Sequence, residues 1–261
     1  MTPEAQNRRH PADAPAADRW TLYGGRDPRE LPTYATWEAA RYLRMPLRTV
    51  QRWTAGFKYP GSKGRTRFAK PLVLPADRDR HLLSFFNLAE LHVLDSLRTH
   101  HEVPSLKLRR LIEYLEDTFD TPHPLVNERV FVAGRAVFIE KAEQLIEATH
   151  GGQLAMRQVI EAHLKRIDPD QDGLAIRLFP FVRRKPDPRL ISTLDEPKII
   201  SIDPRVRYGR PVIIHTSIPT AEIAERFRAG DSFQDLAEEY GRPPQEIEEA
   251  IRCELTLDIA A

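Results

Sequence analysis

Pro46 restricts the front of this chain more than any other residue. A proline has no backbone N–H and pushes the residue before it out of the helical region, so Arg44-Met45-Pro46 must interrupt any helix that reaches it. Upstream, Thr36 is placed to cap a short helix over Trp37–Leu43 that turns Ala39, Ala40 and Leu43 inward. Downstream, a second short helix is predicted from about Leu47 to Thr54, with Val50 and Trp53 one turn apart on its buried side. Gly56, Pro60, Gly61 and Gly64 then crowd the chain before a short strand at Arg65-Thr66-Arg67-Phe68, which is the pattern of a hairpin. Two short helices, a tight turn and a glycine-rich hairpin together form a winged helix-turn-helix.

Charge sharpens that expectation. The whole chain sums to +1, but nine basic residues face only Glu38 between Tyr34 and Lys70, a net +8. From Thr220 to Ala261 eleven acids face four arginines, a net −7. The two segments cancel in the total and not in the field that each presents, so the head should attract a polyanion and the tail should repel one. On the second helix Arg48, Thr49, Gln51 and Arg52 lie off the Val50/Trp53 face. Arginine can make a bidentate contact to guanine and glutamine to adenine, so these four are the expected base readers. Lys63, Arg65 and Arg67 on the hairpin suit phosphate contacts, which supply salt-dependent affinity. The expected partner is a double-stranded DNA operator.

The rest of the chain reads as a mainly helical α+β fold. Residues 1–30, rich in Pro, Ala, Asp and Arg, are expected to be a disordered arm, and 31–118 a DNA-binding head with a helix pair. The first helix of that pair is expected to open at Asn87, with Glu90 closing a capping box, and to bury Leu88, Leu91, Leu94 and Leu97. The second starts at Ser105 and buries Leu108, Leu111, Ile112 and Leu115. A middle α/β domain over 119–182 should hold a hairpin at Phe131–Phe138, a helix from about Gln153 to Ile167 and a strand at Leu174–Val182. A linker at 183–197 carries Arg183-Arg184-Lys185, and 198–261 forms an acidic C-terminal module. That module should contain a strand at Val212-Ile213-Ile214 and helices at Thr220–Ala229, Ser232–Tyr240 and Pro244–Cys253.

Tyr34-Ala35-Thr36-Trp37-Glu38-Ala39-Ala40-Arg41-Tyr42-Leu43, followed by Met45–Trp53, resembles the DNA-binding domain of MerR-type regulators. The likeness runs to about Asp117 through the helix pair. Arg44 stands where that family usually has glycine or a small residue, and the long dimerising helix that normally follows is missing. Ile202-Asp203-Pro204, Gly209-Arg210-Pro211-Val212-Ile213, Ala229–Phe233 and Ile247–Ile251 resemble domain-of-unknown-function family 433, a small helix-turn-helix-like module that recurs in antitoxins. The likeness covers about Lys198 to Glu254. It departs at His215-Thr216-Ser217-Ile218, where the family usually has Gly-Thr-Arg-Ile; without that arginine the acidic tail reads as a protein-binding or dimerising surface. The combined layout resembles VapB-type antitoxins. That resemblance implies neutralisation of a PIN-domain ribonuclease toxin and repression of the chain's own operon, as a homodimer on a two-fold operator. A PIN active site is a cluster of carboxylates, so charge complementarity nominates Arg183, Arg184 and Lys185, or Arg207 and Arg210, as toxin-binding residues.

Other chemistries find little support. The opening of an EF-hand loop is copied at Asp168-Pro169-Asp170-Gln171-Asp172-Gly173, but Phe179 occupies the twelfth position where the loop needs a bidentate glutamate, so a capped turn is expected there. The single cysteine, Cys253, allows no internal disulfide and reads as a small core residue. No nucleophile–base pairing, cofactor motif or apolar run of membrane-spanning length is present, so a cytoplasmic binding protein with neither cofactor nor metal is expected. Two other roles remain open at the level of sequence: a stand-alone regulator whose middle domain senses a small molecule, and a structural adaptor.

Overall fold

The computed structural model describes residues 20–60, 65–101, 105–120, 123–127, 140–141, 144, 158–182 and 196–255. Strand β1 (Tyr34–Ala35) leads directly into α1 (Thr36–Leu43). The helix begins one residue earlier than expected, and Thr36 lies inside it. Its cap is Ala35, whose N–H is taken by the Glu38 carboxylate at 2.9 Å. Helix α2 (Leu47–Ala55) follows, then the antiparallel hairpin of β2 (Phe57–Pro60) and β3 (Thr66–Ala69), with Tyr59 opposite Arg67. Strand β4 (Leu82–Leu83) returns to pair with β1.

Helix α3 (Phe85–His101) is the axle of the molecule. Leu88, Leu91, Leu94 and Leu97 are fully buried as expected, but so are Phe85, Phe86, Ala89 and Val93, so the helix is enclosed on every side from Phe85 to Leu97. It starts ahead of Asn87 because the capping box is Ser84 with Asn87: each takes the other's N–H, at 3.2 and 3.1 Å. Helix α4 (Ser105–Phe119) packs its Leu108, Leu111, Ile112 and Leu115 stripe against this core.

The same core continues past residue 118 through Leu125, Val126, Ile160, Leu164, Ile167, Ala175 and Leu178. The middle segment therefore shares its interior with the head. The stretch at 158–164 is helical, but Ile167 belongs to β5 (Ile167–Pro169), which pairs with β6 (Ala175–Leu178), so the helix stops short of its expected end. The expected hairpin at Phe131–Phe138 lies outside the described residues. In the β5–β6 turn, Asp170 accepts the N–H groups of Asp172 and Leu174 at 2.9 and 3.0 Å, which is the capped turn the sequence suggested.

The expected arm extends too far at its C-terminal end. From Trp20 onward the chain lies on the body. Arg29 is buried, paired with Asp27 and Asp170 at 2.6 Å each, and its guanidinium sits 5.1 Å from the Phe86 ring centroid.

A second core builds the C-terminal module. Strands β7 (Ile200–Ser201) and β8 (Val212–Ile213) pair, and α5 (Thr220–Ala229), α6 (Phe233–Tyr240) and α7 (Pro244–Leu255) enclose Ile223, Leu236, Ile247, Ala250, Ile251 and Cys253. Ser232 caps α6, taking the Asp235 N–H at 3.1 Å. Gly230 and Gly241 end α5 and α6 in left-handed conformations, as helix C-termini favour. No helix among the described residues is long and apolar enough to cross a membrane.

Candidate nucleic-acid interface

Helix α2 divides cleanly into two faces. Val50, Trp53 and Thr54 are buried, and the Thr54 hydroxyl donates to the Val50 carbonyl at 2.9 Å. Arg48, Gln51 and Arg52 are exposed and Thr49 is half-buried. Spacings of three and four residues put Arg48, Gln51 and Arg52 side by side, as a groove-reading helix requires.

The wing is fixed to that helix rather than hung from it. Gly56 closes α2 with φ 75°, and a Cβ there would collide with the Ala69 carbonyl and lie 2.7 Å from the Phe68 ring, so only glycine fits. The Trp53 carbonyl takes the N–H groups of Leu72 and Val73 at 2.7 and 3.1 Å. Arg109 on α4 donates to the carbonyls of Lys70 and Pro71. Arg65 and Arg67 are exposed on the hairpin, with Lys58 and Lys70 exposed beside them; Lys63 lies outside the described residues.

Two of the nine basic residues counted toward the +8 do not serve this surface. Arg44 occupies the turn between α1 and α2 in a left-handed conformation, φ 55° and ψ 34°. That geometry explains why the corresponding turn favours glycine. Here a side chain pays back part of the strain: Arg44 donates to the Arg252 carbonyl at 2.8 Å and to the Phe181 carbonyl at 3.3 Å. Burial lowers its pKa. Arg41 pairs with the buried Glu254 at 2.9 Å. Glu38, the sole acid between Tyr34 and Lys70, is ion-paired with Arg210.

These contacts fasten the C-terminal module to the first helix of the helix-turn-helix. The Tyr34 hydroxyl donates to the Gly209 carbonyl at 3.0 Å, and Arg210 also reaches the Tyr42 hydroxyl at 3.3 Å. Burial opposes the charge on Arg210, but its hydrogen bonds to Tyr42 and Glu38 outweigh that and raise its pKa. Sequence reasoning missed this junction, because each pair joins residues more than 160 positions apart.

The five nominated toxin-binding residues fall in three places. Arg183, Arg184 and Lys185 lie outside the described residues. Arg210 is engaged with Glu38, and Arg207 is exposed, donating to the Ser217 carbonyl at 2.9 Å. Arg207, Tyr208 and Gly209 form a run of left-handed residues that leaves the Tyr208 side chain 78% exposed. His215, standing where related modules usually carry glycine, is also left-handed at φ 60°.

Residues 32–112 match the family model described as "Putative DNA-binding HTH domain", and residues 200–252 match "Protein of unknown function (DUF433)". Over 239 residues the chain is 27% identical to a protein of Mycobacterium tuberculosis (strain ATCC 25618 / H37Rv) named "Putative antitoxin VapB45", covering 85% of this chain and 93% of that relative. It is 23% identical over 233 residues to "Uncharacterized protein Rv2308" of the same organism, covering 85% and 89%. The crystal structure of Rv2018 from Mycobacterium tuberculosis aligns with a TM-score of 0.59 at 22% identity, over 85% of this chain and 98% of that one, a likeness of fold.

Proposed function

We propose that this protein is a DNA-binding antitoxin that represses its own operon and neutralises a PIN-domain ribonuclease. The observation that carries the DNA half is the outward row of Arg48, Gln51 and Arg52 on α2 beside a basic wing, on a segment that matches a DNA-binding helix-turn-helix model. The antitoxin half is supported by similarity along most of the chain to a protein named as such. Direct base contacts come from Arg48, Thr49, Gln51 and Arg52, while Lys63, Arg65 and Arg67 hold phosphates. A homodimer on a two-fold operator is joined through the acidic tail, since the head lacks the dimerising helix of MerR-type regulators. The protein works in the cytoplasm by binding, with no catalytic step and no cofactor.

For the toxin, Arg183, Arg184, Lys185 and Arg207 are the proposed contacts to an acidic active site. Arg210 belongs with them only if its pair with Glu38 opens on binding. Co-expression with the product of the neighbouring operon gene tests the reading. The antitoxin should rescue growth, co-purify with that product and repress a reporter driven by its own promoter. Repression without rescue or co-purification would make it a stand-alone regulator, and neither activity would leave a scaffold.

A further inference from the structure

We propose that Phe57 locks the Arg52 guanidinium in the plane needed to read one guanine of the bound site, which makes Phe57 a specificity-positioning residue. The inference rests on the DNA-reading function above. Arg52 is exposed on the outward face of α2, yet its guanidinium carbon lies 3.7 Å from the centroid of the Phe57 ring. Among the described residues no carboxylate or carbonyl takes its side-chain N–H groups. Toward the described residues the group is therefore held against the ring while its N–H groups make no hydrogen bond.

The backbone explains how the ring gets there. Gly56 sits between α2 and β2 at φ 75°, a position with no room for a Cβ, so the strand doubles back over the last turn of the helix. Phe57 is half-buried beneath Arg52 and packs beside Tyr59, with ring centroids 6.0 Å apart. The base of the hairpin is pinned to Trp53 by Leu72 and Val73. Phe57 is thus tied to the helix through the base of the hairpin.

Guanine fits this arrangement better than phosphate. A phosphate accepts donors from many directions, so arginine or lysine charges without a fixed orientation serve it. Lys58, Arg65, Arg67 and Lys70 already offer such charges nearby. The O6 and N7 atoms of guanine instead require the two N–H groups of the planar fork in one fixed orientation, and packing of the guanidinium over the Phe57 ring restricts that orientation and lowers the entropy lost on contact.

The test uses the full chain and a duplex selected by it from a random library. Each guanine of that duplex is replaced singly by 7-deazaguanine, which lacks N7, and affinities are measured for wild type, Phe57→Leu, Phe57→Tyr and Arg52→Ala. Wild type and Phe57→Tyr should share one sensitive guanine. At that position Phe57→Leu should lose about three- to tenfold of its discrimination and Arg52→Ala all of it, with the salt dependence of Phe57→Leu unchanged. Uniform weakening of every duplex by Phe57→Leu, or full discrimination retained in it, overturns the proposal. Matching thermal unfolding of Phe57→Leu and wild type guards against a folding defect. A wild-type chain that selects no sequence at all sinks the DNA-reading function itself, and this proposal with it.

Discussion

Replacing Gly209 with alanine probes the junction between the C-terminal module and the DNA-binding head at a single atom. Gly209 has φ 74°, and a Cβ there would fall on the Tyr34 hydroxyl and 3.1 Å from the ring carbon that carries it. The left-handed backbone alone costs an alanine about 1–2 kcal/mol. Tyr34 is fully buried, so expelling its hydroxyl from the Gly209 carbonyl leaves buried polar groups unpaired, for about 1–3 kcal/mol more. Gly209→Ala should therefore lower stability by about 2–5 kcal/mol in urea unfolding followed by tryptophan fluorescence. Tyr34→Phe alone should cost about 1–2 kcal/mol. In the double variant the colliding oxygen is gone, so the two losses should fall short of their sum by about 1 kcal/mol or more. Additive losses would mean that the 207–209 turn does not press on Tyr34, and that the two modules are not joined as described.

Other consequences follow from the same contacts. Burial pushes the Cys253 thiol up to about 12, so the native protein should resist a thiol reagent at neutral pH and react at once when unfolded; rapid native labelling would contradict its place in the core. Burial works against the proton on His123, but the Glu90 carboxylate 3.0 Å away, with Glu30 and Glu116 nearby, outweighs it and raises the His123 pKa. Its contribution is thus complete below the unfolded value of about 6.5 and fades as pH rises through the folded one. The stability advantage of wild type over His123→Gln should accordingly shrink as pH rises above about 6.5, and a constant difference would refute the pair. Arg67→Ala should weaken binding to all duplexes alike and reduce the salt slope by about one, whereas a loss confined to one sequence would move Arg67 into the groove.

Local rules carried the reading of the sequence as far as the physics is local. Val50 and Trp53, one turn apart before a glycine, disclosed the buried face of α2, and the outward row followed. The bounds of α5 and the Ser232 cap of α6 were legible because capping is settled within four residues. The start of α3 was misplaced because Asn87 and Glu90 have the spacing of a capping box, whereas the reciprocal bonds join Ser84 and Asn87 and put Phe85 and Phe86 inside the helix. Ile167 extends a helical pattern in sequence but pairs with Leu178 in space. Counting charge along the chain overstated the DNA-facing field, since Arg41 and Arg44 spend theirs on a module some 200 residues away. The stacking of Arg52 on Phe57 was within reach of the sequence only once Gly56 was understood as a reversal of direction.

The central claim is that the outward row on α2 selects DNA sequence. Fluorescence anisotropy with the promoter duplex of the chain's own operon, against a scrambled duplex, measures it directly for wild type and Arg48→Ala/Gln51→Ala. Wild type should prefer its promoter, and the double variant should lose about 1–3 kcal/mol of that preference per base contact while keeping its grip on the scrambled duplex. Equal preference in both proteins would contradict the account.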